Sequence, residues 1–186
     1  MKFTATRLPD VVVIEPAVFS DERGWFMESF SQKRFVDGLA ALGLPQPRPF
    51  VQDNESASAR GVLRGLHYQL PPHPQGKLVR VVQGAALDVS VDIRRGSPTF
   101  GQWVTEELSA ANRKQLWIPE GFAHGFVALQ DNTRFVYKTT DYYAKDCERA
   151  IRWDDSALAI AWPAGLQVLL APKDAAAPLL ADAKVF

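Results

Sequence analysis

The sequence predicts an all-β fold, a sandwich or barrel, and three observations carry that prediction. Short apolar or alternating runs recur along the chain, Gly, Pro, Asn and Asp separate them, and only one stretch has helical spacing. No internal repeat or low-complexity linker interrupts the pattern, so the 186 residues are expected to form a single domain. An apolar fraction of 47% supplies enough side chains for one sizeable core.

The first strands expected are Val11–Ile14, Trp25–Phe30 and Phe50–Asn54. Between them Ser31–Leu42 reads as a short helix. Ser31 can cap its first turn, Phe35, Leu39 and Leu42 recur at helical spacing, and Gly43 suits its end. The later strands are Val62–Gln69, Lys77–Val82, Ala86–Ile93, Trp103–Leu108, Leu116–Ile118, Gly125–Leu129 and Arg134–Thr139, about ten in all. Pro45-Gln46-Pro47-Arg48-Pro49 and Pro71-Pro72-His73-Pro74 mark stiff loops. The tail from Ala171 is expected to lie over the barrel as a loop or a weak helix.

Alternation assigns faces. Leu87, Val89, Val91 and Ile93 point one way and Asp88, Ser90, Asp92 and Arg94 the other, which predicts a strand with one buried face. Phe135 shares its face with Tyr137, whose hydroxyl then needs a partner, either as a core residue or as a site residue.

Composition narrows the function. Lysine plus arginine balance aspartate plus glutamate at 21 each, so no global field favours nucleic acid or an anionic membrane. The single cysteine, Cys147, excludes an internal disulfide and falls short of a thiolate zinc site, which makes the cytoplasm the expected compartment. Neither export nor membrane insertion is expected, because no apolar run approaches the ~20 residues that cross a bilayer. The three histidines, His67, His73 and His124, have no metal-ligand spacing, so no metal is expected and the chemistry falls to ordinary acids and bases.

His67 lies within a strand, in Arg64-Gly65-Leu66-His67, where a core histidine and a catalytic base are both open readings. Strict alternation would put Arg64 and His67 on opposite faces. Gly65 is a natural bulge position, and a bulge would turn both toward one cavity. Lys77 opens a largely apolar strand, as a solvated edge residue or, inside a cavity, as a stabiliser of an oxyanion. Arg23 is either a hairpin surface residue or a fork for phosphate oxygens. His124 sits in an aromatic turn.

Taken together, Asp21-Glu22-Arg23-Gly24, Val51-Gln52-Asp53-Asn54-Glu55-Ser56, Leu63-Arg64-Gly65-Leu66-His67, Gln75-Gly76-Lys77-Leu78-Val79-Arg80, Ser97-Pro98-Thr99-Phe100-Gly101, the run from Trp117 to Phe126, Tyr137-Lys138-Thr139-Thr140 and the run from Lys173 to Pro178 resemble, in order, the dTDP-4-dehydrorhamnose 3,5-epimerase family. The resemblance spans nearly the whole chain. It implies a cupin-like double-sheet jelly-roll β-barrel, a homodimer, no metal and no organic cofactor. It also implies inversion at C3 and C5 of dTDP-4-dehydro-6-deoxy-D-glucose. By the same resemblance His67 is the base, Asp174 its carboxylate partner, Lys77 the enolate stabiliser and Tyr137 the acid on the opposite face. Arg23 and Arg64 would hold the diphosphate, Glu28, Gln52, Asp53 and Asn54 would surround the nucleotide, and His124, Glu148 and Lys173 would complete the site. Trp25 and Met27 depart from the family's usual phenylalanine-rich stretch without touching these residues.

Overall fold

The computed structural model describes residues 1–186. Its strands are β1 (Lys2–Ala5), β2 (Val12–Glu15), β3 (Val18–Asp21), β4 (Gly24–Met27), β5 (Gln52–Ser58), β6 (Val62–Gln69), β7 (Lys77–Gln83), β8 (Ala85–Asp92), β9 (Trp103–Ser109), β10 (Gln115–Ile118), β11 (Phe122–Ala128), β12 (Thr133–Thr139), β13 (Glu148–Ala150) and β14 (Leu169–Leu170). Two helices join them, α1 (Gln32–Ala41) and α2 (Pro172–Ala175). One sheet runs β1-β2-β10-β7-β12-β5 and the other β13-β6-β11-β8-β9, with β14 added in parallel to β6. The two sheets face each other as a cupin-like jelly roll. No helix is long and apolar enough to cross a membrane.

Three apolar layers follow from the alternation of side chains. Val79, Val81, Leu116 and Phe135 of the first sheet meet Ala86, Val104, Leu108 and Phe126 of the second, filling the space between them. On the outer face of the first sheet, Val12, Ile14, Leu78 and Trp117 are covered by Phe35 and Leu39 of α1. Ser31 caps that helix through its hydroxyl, which accepts from the Arg34 N–H, and Gly43 at φ +74° releases the chain. On the outer face of the second sheet, Leu66, Val89, Val91 and Ile93 are covered by Ile151, Leu158, Leu180 and Ala183 of the C-terminal arm.

That third layer corrects the reading of β8. Both its faces are buried: Val89 and Val91 lie under the arm, while Asp88 and Ser90, expected toward solvent, turn into the barrel at 0% exposure. Other corrections are local. The expected strand Trp25–Phe30 is half of a hairpin, β3–β4, and stops at Met27. Strand β5 runs on to Ser58, β11 starts at Phe122, and β1, β13 and β14 are additional short strands. The expected C-terminal arm contains the short helix α2.

Candidate active site

One cavity of about 540 Å³ opens at the end of the barrel, between the sheets. Its geometry begins at Gly65. The β6–β11 ladder pairs His124 with His67 but Phe126 with Arg64, so β6 carries one residue more than its partner. This is the bulge expected there, and Arg64 and His67 both line the cavity. Gly65 sits at φ +148°, and a Cβ built on it would lie 2.6 Å from the Cα of Gly125. Only glycine permits this approach.

The Nε2 of His67 lies 2.7 Å from Oδ1 of Asp174, and the Gly65 N–H donates to Oδ2 of the same carboxylate. Asp174 is buried at the third residue of the single-turn helix α2, brought from the far end of the chain. Burial pushes its carboxyl up, but the hydrogen bond and charge of His67 and the Gly65 N–H outweigh that and hold it below its ordinary value. An ionised carboxylate only accepts, so Nε2 of His67 carries the proton and Nδ1 keeps the lone pair.

Lys77 is not an edge residue. Strand β7 runs between β10 and β12, and the side chain is buried, its Nζ donating to the His67 carbonyl at 3.4 Å. Burial lowers its pKa to about 8, against the opposing pull of Asp88 and Glu148. Tyr137 reaches the cavity from β12 of the facing sheet. Burial raises its pKa, Glu148 adds to that, and Arg64 and Lys173 oppose it, so the phenol is a proton donor at neutral pH.

Gln52, Asn54, Glu148 and Lys173 line the same cavity, with Lys173 donating to Glu148 at 3.0 Å. Four expected residues do not line it. Asp53 alternates to the other face of β5 and pairs with Lys138. Glu28 pairs with Arg34 of α1. Arg23 is 85% exposed at the β3–β4 turn, where it holds Asp21. His124 is buried beside the cavity rather than in its wall, with Nε2 bonded to Asp88 at 2.8 Å. Sequence reading missed Tyr143, which lines the cavity and donates to Glu148. Tyr143 stands in a short aromatic pair, Tyr142-Tyr143, in a loop segment with no periodicity to assign its face. No cluster of three or more His, Cys, Asp or Glu side chains is placed to hold a metal ion.

The arrangement can take a proton on one wall, neutralise an oxyanion beneath it and return a proton from the other wall. The family profile described as dTDP-4-dehydrorhamnose 3,5-epimerase matches residues 5–182. The enzymes of that name from Shigella flexneri and Pseudomonas aeruginosa are each 54% identical over 186 residues, covering 100% of this chain and 99% of theirs. The crystal structure of dTDP-6-deoxy-D-glucose-3,5-epimerase from Legionella pneumophila, in complex with dTDP-4-keto-L-rhamnose, superposes with a TM-score of 0.91. It is 52% identical, and the match covers 98% of this chain and 94% of that one.

Proposed function

The chain belongs to the dTDP-4-dehydrorhamnose 3,5-epimerase family, and on that premise we propose that it inverts C3 and C5 of dTDP-4-dehydro-6-deoxy-D-glucose using His67, Asp174, Lys77 and Tyr137. The product is dTDP-4-dehydro-β-L-rhamnose, on the route to dTDP-L-rhamnose. One observation supports the assignment of roles: His67, braced by a buried carboxylate, and Tyr137 line one cavity from facing sheets, and buried Lys77 lines it from β7, the neighbour of β12.

The C4 ketone acidifies the hydrogens on C3 and C5, because their loss leaves an enolate. Nδ1 of His67 takes the proton, and Asp174 stabilises the imidazolium that forms. The Lys77 ammonium neutralises the enolate oxygen. Tyr137 then delivers a proton from the opposite side, so the carbon returns inverted. Once His67 has released its proton to solvent and the Tyr137 phenolate has regained one, the same cycle at the second carbon completes the reaction. Arg64, Gln52 and Asn54, with the Lys173–Glu148 pair, are the groups available to the nucleotide diphosphate.

The protein acts as a homodimer of single-domain subunits in the cytoplasm, in our reading. Phe19, Trp25 and Phe26 of the β3–β4 hairpin are 65%, 56% and 68% exposed, an apolar surface that a second copy would cover. Arg23 projects from that hairpin, away from its own cavity. Docking of the hairpin on a partner would give Arg23 a route to the partner's diphosphate.

The test is turnover in deuterated water after chelator treatment. Deuterium is expected at both C3 and C5 of the product; label at C3 alone would reduce the activity to a single-centre epimerisation. Tyr137→Phe is expected to wash deuterium into substrate while yielding little inverted product, and normal turnover of that variant would remove the acid assignment. His67→Ala should abolish exchange.

A further inference from the structure

We propose that Gln69 is a positioning residue of this site, one that holds the loop carrying Tyr143 and Glu148 at the mouth of the cavity, where the nucleotide end of the substrate is bound. The inference rests on the sugar-nucleotide reading above. Gln69 is the last residue of β6, two after His67, and it is 4% exposed. Its Nε2 donates to the carbonyls of His73 at 2.7 Å and Tyr142 at 3.2 Å, and its Oε1 accepts from the Ala144 N–H at 2.8 Å. None of those three backbone groups has another hydrogen bond within the chain. A buried amide costs free energy unless it is bonded, and here both N–H groups and the oxygen are used. A carboxylate of the same size would set oxygen against two carbonyls, and an apolar side chain would leave all three loop groups without a partner.

The loop is closed on Gln69 at both ends. The Gln69 side chain fixes Ala144, one 3₁₀ turn follows at Lys145–Cys147, and Glu148 then pairs with Gln69 itself in the β6–β13 register. Across that turn the Cys147 and Glu148 N–H groups both donate to the Ala144 carbonyl, so a shift of Ala144 is passed to Glu148. Tyr143 and Glu148 line the cavity, and the Tyr143 hydroxyl donates to Glu148 at 3.0 Å. The Tyr143 N–H donates to Oε1 of Gln52, another wall residue, at 3.1 Å. The bond to His73 ties in the Pro71–Pro74 loop; beside it Gln75 lines the cavity and donates to the Asp141 carbonyl at 2.8 Å. One neutral side chain thus joins the two loops at the mouth, while the base His67 is held separately, by Asp174. Loss of the amide is therefore expected to weaken binding and to spare the chemical step.

Gln69→Met fills the same space without the three bonds. Titration calorimetry with dTDP is expected to give a dissociation constant about tenfold above wild type, the net worth of about one hydrogen bond in ordering the loop. KM for the sugar nucleotide should rise by a similar factor while kcat stays within about twofold. In a Tyr143→Ala background the same change should cost less than about threefold, because Gln69 acts through that loop. A variant that melts earlier yet binds dTDP with wild-type affinity would reduce Gln69 to a structural residue and overturn the proposal. So would a full loss of affinity that persists without Tyr143, or a fall in kcat at unchanged KM, which would place the effect at the base. A second measurement needs no variant: amide hydrogen exchange of the wild-type protein should show the Ala144 N–H protected, and exchange at the rate of an open loop would also overturn it. Calorimetry and exchange are read without turnover, so they can fail independently of the epimerase reading, which fails if the wild-type protein places no deuterium in product.

Discussion

Gly65→Ala tests whether the bulge in β6 is what aims the site. A Cβ at this position would lie 2.6 Å from the Cα of Gly125, 3.2 Å from the His124 carbonyl oxygen and 3.4 Å from the Gly125 nitrogen. All three are backbone atoms of β11, so no side chain can swing away, and β6 and β11 must separate by several tenths of an ångström at least. The φ of +148° adds a backbone cost of about 1–3 kcal/mol for an L-residue. Forcing the strands apart adds about 1–3 kcal/mol more. Of a domain stability of about 5–15 kcal/mol, the substitution thus removes a large part without necessarily unfolding the chain. The larger effect falls on chemistry, because Arg64 and His67 flank the bulge: a displacement of about 1 Å at a reacting group costs about 10²-fold in rate. The assay is urea denaturation beside kcat/KM, with Gly96→Ala as the control, since a Cβ there meets nothing within 4 Å. Gly65→Ala with the stability and turnover of Gly96→Ala would refute the idea that this close approach orients the base.

Three further predictions follow from other parts of the molecule. Asp92 is fully buried and accepts from Arg94, Ser97 and Thr99; burial opposes its ionisation, but these bonds lower its pKa from 3.8 to about 2. A depressed carboxylate stabilises above its unfolded pKa, so Asp92→Asn should cost about 2 kcal/mol at pH 7, and the difference should shrink between about pH 4 and pH 2 in equilibrium unfolding. Asp174→Asn should lower kcat about 10²-fold with little change in KM, because the carboxylate is buried behind His67; an equal rise in KM would make it a substrate contact instead. Phe19→Ser with Phe26→Ser should shift the protein toward monomer in light scattering, and an unchanged mass would place the dimer contact elsewhere.

Legibility in the sequence depended on how local the cause was. The helix Ser31–Leu42 was readable because its cap, its apolar stripe and its terminating glycine lie within one short segment. The bulge was readable because a glycine inside an alternating strand has few other uses. Strand β8 was misread because its apolar residues look like a core face, yet the layer that covers them arrives from residues 151–183. Its polar face enters the barrel, where the ring of His124, 36 residues away, meets Asp88. Lys77 shows the same limit: a lysine at a strand start looks solvated until the sheet order places β7 between two neighbours. Arg23, Glu28 and Asp53 follow from the family resemblance, but no local rule says that each is paired elsewhere and does not line the cavity of its own chain.

The brace of the proposed base is contributed by the C-terminal arm, which is tied down by Leu180 and Ala183 and by the Leu180 N–H donating to Asp155. Base and brace therefore come from residues 107 positions apart, joined only by the way the arm packs on the second sheet. A perturbation that loosens residues 171–183 is expected to lower turnover more than it lowers the strand signal in circular dichroism, so activity reports on the seating of the arm.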